Sequence, residues 1–177
     1  NAQDYKFGKV SKEELEEKRD ESNEQIKEDL QKSIQDAQQI QKEMEELNRD
    51  LLERKEMTWQ DKKKLEELMQ RQQQMQKRVD QLKQQNKQSN QQQQEYQKMN
   101  EEIVKKQEQL EKLFEEVMTD EMREMYERMQ ELMEEMDKEK IQQELDKMQW
   151  DQKDVEKELD RALEQFKQME FEMKMEE

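Results

Sequence analysis

Apolar side chains recur along this chain at alternating steps of four and three residues, with polar residues between them. From residue 26 to residue 51 the repeating positions are Ile26, Leu30, Ser33, Ala37, Ile40, Met44, Leu47 and Leu51. This spacing puts all of them on one face of an α-helix and is typical of a coiled-coil seam. Because Ser11 and Glu14 form a capping box, we predict a first helix from about residue 12 that could reach Lys55.

A second helix is predicted to begin after Thr58, whose hydroxyl is placed to cap it. The apolar register restarts at this point and follows Leu65, Leu68, Gln72, Met75, Val79 and Leu82. A tight turn near residues 56–58 would fold the second helix back on the first. The pattern therefore predicts an antiparallel helical hairpin.

Residues 84–94 contain no apolar side chain and consist mainly of glutamine. A solvated stretch of one continuous helix is the favoured interpretation, since glutamine is a fair helix former. A flexible joint is the alternative. The seam is then predicted to resume through Tyr96, Met99, Ile103, Lys106, Leu110, Leu113 and Val117.

Three shorter helices are predicted in the remaining residues, from capping signals at Thr119, Asp137 and Asp151. In the last of them a heptad pattern is kept by Val155, Leu159, Ala162, Phe166, Met169 and Met173. We thus predict an all-α fold: an antiparallel coiled-coil helical hairpin followed by shorter packed helices. Its parts are an extended tail at 1–10, the hairpin at 11–118, and a bundle or end cap at 119–177.

Composition supports helices and limits the function. Charged residues make up 46% and hydrophobic residues 29% of the 177 positions, so the apolar side chains suffice for a narrow seam but not for a thick core. Proline is absent and Gly8 is the single glycine, so nothing after it interrupts a helix by the usual steric means. The net charge of −16 argues against binding to nucleic acid or to an anionic membrane and favours basic protein partners.

The sequence predicts no catalytic site, cofactor site or metal site. Histidine and cysteine are both absent, so they cannot supply a nucleophile–base pair. One glycine cannot build a phosphate-cradling loop, and solvated helix faces account for the many carboxylates. We therefore expect a protein that is not an enzyme. No apolar run exceeds two residues, so we expect membrane attachment only through segments outside this sequence.

Residues 115–137 are the most informative local feature, because ten acidic residues stand there against two arginines. The same stretch continues the four-three spacing through Met118, Met122, Met125, Met129, Leu132 and Met136. Methionine fills helical seams, which is the favoured interpretation of this stripe. An acidic surface around flexible methionines also fits a groove that binds a basic amphipathic helix, so these six residues are the candidate partner-binding site.

The two tryptophans, Trp59 and Trp150, both fall at predicted helix junctions. We interpret them as packing anchors at corners, with a hot spot for another protein as the alternative.

Three stretches resemble a large, uncharacterised family of Bacteroidetes envelope proteins, a domain of unknown function. They are residues 7–15 (FGKVSKEEL), 59–63 (WQDKK) and 159–172 (LDRALEQFKQMEFE). The resemblance covers nearly the whole chain, although Ala162 and Met169 stand where the family usually has Thr and Leu. It implies a soluble excerpt of a longer protein with membrane spans upstream, in the cell envelope. The absence of an initial methionine likewise suggests a processed or truncated product.

Two functions follow as hypotheses. The first is a structural and protein-interaction module, a stalk or scaffold within a membrane-anchored assembly. The second is a binding module that grips a basic amphipathic helix or an unfolded client on residues 115–137. The seam residues leave open whether the helices pair within one chain or in a homo-oligomer.

Overall fold

The computed structural model describes residues 12–96 and 98–176, which form five α-helices. These are α1 (Lys12–Glu53), α2 (Trp59–Tyr96), α3 (Glu101–Glu116), α4 (Asp120–Glu135) and α5 (Lys138–Met175). The all-α prediction is confirmed, and no strand occurs in these two ranges. The extended tail predicted at 1–10 and the predicted capping residue Ser11 lie outside the described residues.

The turn between α1 and α2 falls where the sequence predicted it, although α1 ends at Glu53 rather than Lys55. The hydroxyl of Thr58 accepts a hydrogen bond from the Asp61 amide at 3.2 Å, and the Thr58 amide donates one to the Asp61 carboxylate at 3.0 Å. Arg54, the residue after α1, forms an ion pair with Asp61 in the first turn of α2 at 2.7 Å. Burial alone would raise the pKa of Asp61, but the hydrogen bonds from Thr58 and Arg54 outweigh it and lower that pKa.

The glutamine-rich stretch is helical, as the favoured interpretation predicted, and the alternative of a flexible joint there is wrong. Helix α2 runs through it without a break to Tyr96. Asn86 and Asn90 take the inward positions in this stretch and are buried, so the polar run still has a core-facing side. The interruption comes later, before Asn100, whose side chain caps α3 by accepting a hydrogen bond from the Glu102 amide at 3.0 Å.

The predicted register between the second and third helices is partly wrong. Tyr96 is exposed, and Gln107 rather than Lys106 is buried in α3. Ile103, Leu110 and Val117 are buried as predicted, so the step from Ile103 to the next inward residue is four rather than three, and the rest of the register holds.

The prediction of three short helices in the last third of the chain is also partly wrong. Thr119 and Asp137 do cap helices, through bonds to the amides of Met122 and Lys140. Asp151 begins no helix, because α5 continues through it over 38 residues. A capping box contributes only about 1 kcal/mol, whereas an unbroken α5 keeps a row of core side chains buried on both sides of Asp151.

The helices pack as an up-down-up-down bundle of four columns, in which α3 and α4 together form one column. Helix α1 packs against α2 on one side and α5 on the other, and α3 lies between α2 and α5. Lys27 pairs with Glu170 at 3.0 Å, and Asn48 donates a hydrogen bond to Asp146 at 2.7 Å, so α1 and α5 run antiparallel. The heptad seams of all columns thus face one shared core, which extends for about 38 Å along α1, from Ile26 to Leu51.

Candidate functional site

The structure splits the predicted methionine stripe between the core and the surface. Met118, Met122 and Met129 are buried, and Met129 is fully inaccessible. Met125, Leu132 and Met136 are half-buried and pack against the edge of the core or line the surface beside it. Met133, which the four-three spacing left out, is buried instead of Leu132.

The reason for this shift is the direction in which α4 turns its faces, because Met125 and Leu132 lie to one side of the row formed by the buried residues of that helix. Val117 and Met118 leave the helix, and Thr119 starts a new one. The inward positions of α4 are Met122, Met129 and Met133. The six predicted residues do not form one open stripe, because half of them are core.

Both tryptophans lie on the surface, so their interpretation as packing anchors is wrong. Trp59 is 70% exposed and Trp150 is 68% exposed. Trp150 sits in the middle of α5 rather than at a junction. A lysine one turn further along the same helix approaches each ring, with the ammonium of Lys63 at 5.8 Å and that of Lys153 at 4.9 Å from the ring centre.

Trp150 borders a surface groove between α4 and α5, which we call the α4–α5 groove. Its apolar side chains are Met122, Met125 and Trp150. Its remaining lining consists of Thr119, Glu121, Glu124, Arg128, Lys147, Asp151 and Asp154. Two of the six predicted stripe residues and two of the seven acids of α4 thus meet a tryptophan from α5, which the sequence pattern alone did not bring together.

The carboxylates of the groove repel one another. Burial raises the pKa of Asp151 above its ordinary value, and the negative charges of Asp154 and Glu121 raise it further. No cationic side chain contributes to this shift. The groove therefore concentrates negative charge next to an exposed aromatic ring, an arrangement that favours an incoming cation.

Polar side chains lie behind the groove, inside the bundle. Burial raises the pKa of the Tyr126 phenol, the charge of Asp151 adds to this, and the Gln72 side chain partly offsets it. Gln152 is fully buried and donates a hydrogen bond to the sulfur of Met75 at 3.6 Å. Polar groups at seam positions of this kind fix the register between helices.

The sequence contained a signal for Gln152 that the prediction of a helix start at Asp151 obscured. Read backwards from Val155, the seam of α5 continues through Gln152, Met148, Leu145 and Ile141 at the same spacing. An uninterrupted register would have placed Trp150 on the outer face of one long helix.

Across residues 12–96 and 98–176, no cluster of His, Cys, Asp or Glu is arranged to hold a metal ion. Over the same residues, none of the helices combines the length and apolar character needed to cross a bilayer. A scan against protein-family models, a search of curated proteins and a search of solved structures each found no match for this chain.

Proposed function

We propose that this chain is a protein-interaction module: a stalk or scaffold whose core is closed and whose outer helix faces contact other proteins. The proposal rests on the burial of the heptad seams inside the bundle. Every column directs its apolar row into the shared core, including Leu30, Leu47, Leu82, Leu110 and Leu159, each buried almost completely. Because the seams are satisfied within one chain, a partner has to be bound by exposed faces.

The resemblance to envelope proteins supports a cellular location for this module. We propose that it is the soluble part of a membrane-anchored envelope protein, attached through segments outside this sequence. The ordered motifs at 59–63 and 159–172 carry that resemblance, and they fall on the start of α2 and the second half of α5. In the described structure both segments are helical, and 159–172 contributes side chains to the core as well as to the surface.

A second candidate function is favoured by the charge of α4. Seven acidic residues and two arginines lie between Asp120 and Glu135. Within the described residues, six of those acids form no ion pair, namely Glu121, Glu124, Glu127, Glu131, Glu134 and Glu135. A solvated row of unpaired carboxylates attracts basic proteins, so the module is proposed to bind a basic amphipathic helix on this side.

Calorimetric titration tests the two candidates together. The probe is a helical peptide with lysine and arginine on one face and leucine on the other, and the control peptide has glutamate in place of the basic residues. Binding of the basic peptide alone at micromolar concentration, with a negative heat-capacity change, is the expected result of the second candidate. If neither peptide binds, the second candidate is wrong and the scaffold proposal must rest on other faces.

The scaffold proposal has its own test in the mass and shape of the chain in solution. Light scattering combined with small-angle X-ray scattering is expected to show a single chain about 70–100 Å long. A dimer approaching ~250 Å would mean that the helices form a continuous parallel rod, and oligomerisation would then replace partner binding as the proposed role.

A further inference from the structure

The α4–α5 groove combines an exposed ring, a thioether and acids that form no ion pair among the described residues. Trp150 of α5 forms one wall of the groove. The other wall belongs to α4 and contains the half-buried Met125 together with Glu121 and Glu124. Trp59 is equally exposed, but it lies at the hairpin turn and is not part of this groove. The groove thus offers a partner both apolar contact area and negative charge. An exposed tryptophan by itself offers only the apolar area.

In the second half of α1, two acids are met by cations from a neighbouring helix. Glu43 and Asp36 of α1 pair with Arg71 and Arg78 of α2. The carboxylates of Glu121 and Glu124 lack such partners among the described residues, and the cationic side chains of the groove, Arg128 and Lys147, leave its acids in excess. The groove thus presents more acids than bases beside its aromatic ring.

An ammonium group already lies near the Trp150 ring, that of Lys153 at 4.9 Å. The ring is thus presented so that a cation can reach it, and cations near tryptophan faces are attracted by the ring quadrupole. A guanidinium is the better ligand for such a site, because it is planar, stacks on aromatic rings and bridges two carboxylates.

From these contacts we propose that the α4–α5 groove binds a basic amphipathic helix of a partner protein. An arginine of that helix lies against Trp150 and between the carboxylates of Glu121, Asp151 and Asp154, and its apolar residues cover Met125. This inference rests on the second candidate function and names its surface and its anchor. It moves the predicted site from the methionine stripe, half of which is core, to the boundary between two helices.

Two tryptophan variants test the proposal as a matched pair. Trp150→Ala and Trp59→Ala each remove an exposed ring that has a lysine above it, so both are expected to fold, and circular dichroism checks this. With the basic helical peptide as the titrant, Trp59→Ala is expected to bind as the unaltered chain does, and Trp150→Ala at least ten-fold more weakly. Equal affinity of Trp150→Ala and the unaltered chain would overturn the proposal.

A second pair separates the specific groove from general charge. Asp151→Asn and Asp160→Asn each remove one negative charge from α5, and burial together with nearby acids raises the pKa of both aspartates. Only Asp151 lines the groove. Asp151→Asn is expected to weaken peptide binding several-fold more than Asp160→Asn, and equal effects would reduce the interaction to long-range attraction and contradict the groove.

The outcomes separate a failure of this inference from a failure of the second candidate function, on which it rests. Binding of the basic peptide that no groove variant alters overturns the groove and leaves the second candidate function standing. Absence of binding at micromolar concentration overturns both. A dimer of the free chain that Trp150→Ala dissociates would assign the groove to a second copy and overturn the partner proposal.

Discussion

Helices α1 and α4 are both strongly acidic, yet the bundle treats their charge differently. Helix α1 carries fifteen acids against seven bases, and α4 carries seven against two. Arginines from α2 reach Glu43 and Asp36 of α1, whereas the arginine of α4 that approaches α2, Arg123, faces Asp80 at 3.9 Å. The comparison shows that acidic composition alone marks no binding surface. Missing counter-charge alone marks none either, since Glu16, Glu17 and Glu21 of α1 also form no ion pair among the described residues. The acids of the α4–α5 groove differ in standing beside Trp150.

The two helices also differ in the side chains that anchor them. Helix α1 enters the core through isoleucine and leucine, and α4 through Met122, Met129 and Met133. Methionine is unbranched and adapts to irregular space, which suits a short helix set between two corners. The left-handed backbone of Met136, with φ of 55°, makes the second of those corners.

The largest expected effect tests whether α4 is anchored as firmly as α1. Leu47→Ala and Met129→Ala each remove a fully buried side chain, so each should lower the free energy of unfolding by about 3 kcal/mol. Met125→Ala, at a half-buried position of α4, should cost less than about 1 kcal/mol. Urea denaturation measures all three. A small effect of Met129→Ala would mean that α4 is not part of the common core.

The next effect concerns the corners that set the phase of each helix. Thr119→Ala removes the hydroxyl that accepts a hydrogen bond from the Met122 amide at 3.3 Å, and should cost about 1 kcal/mol. Thr58→Ala removes the hydroxyl that accepts a hydrogen bond from the Asp61 amide at 3.2 Å, and should cost a similar amount. Thermal unfolding measures both, and a neutral Thr119→Ala would show that α3 and α4 are not separated by this cap.

A pH-dependent effect of opposite sign should distinguish the paired acid of α1 from the unpaired acid of the groove. Burial would raise the pKa of Glu43, but hydrogen bonds from Arg71 and Gln39 outweigh it and lower that pKa below 4.5. Glu43 therefore stabilises the fold above its unfolded pKa, and this stability is lost as the pH falls through the folded pKa. Glu43→Gln should lower the free energy of unfolding at pH 7 by under ~1 kcal/mol.

Asp151 should behave in the opposite way, with the smallest effect of the series. Its pKa is raised above 3.8 by burial and by Asp154 and Glu121, so its ionisation opposes folding once the pH exceeds the folded pKa. Asp151→Asn should stabilise the protein at pH 7 by under ~1 kcal/mol, and the gain should vanish below the unfolded pKa of 3.8. Denaturation at pH 7 and at pH 3 measures it, and a loss of stability at pH 7 would contradict the repulsion described for the groove.

Much of the fold could be predicted from the sequence, because heptad spacing shows which residues share one face of a helix. The hairpin turn, the cap at Thr119 and the helicity of the glutamine-rich stretch all followed from spacing and local capping chemistry. The length of α5 did not, because a capping signal at Asp151 outweighed the weaker evidence of a seam that passes through Gln152. A local signal of about 1 kcal/mol cannot decide a boundary against burial over several turns.

The groove was only half predictable. Residues 115–137 drew attention through their methionines and acids, but the sequence placed the whole stripe on one face. Helix α4 turns Met122 and Met129 towards the core. The opposite wall, with Trp150 and Asp151, belongs to another helix. Which residues of α5 lie opposite α4 depends on the tertiary register, and spacing along one helix carries no information about it.

The central claim is that one chain closes its own four-column bundle and leaves the α4–α5 groove as its open surface. Zero-length carbodiimide coupling tests it directly in the unaltered protein, using an equal mixture of isotope-labelled and unlabelled chains. The account predicts a Lys27–Glu170 cross-link across 143 residues, always between partners of the same isotope. The neighbouring Lys27–Glu24 pair, at 2.7 Å within α1, is the internal control. Cross-links that join labelled to unlabelled chains, or a Lys27–Glu24 product without Lys27–Glu170, would contradict the account.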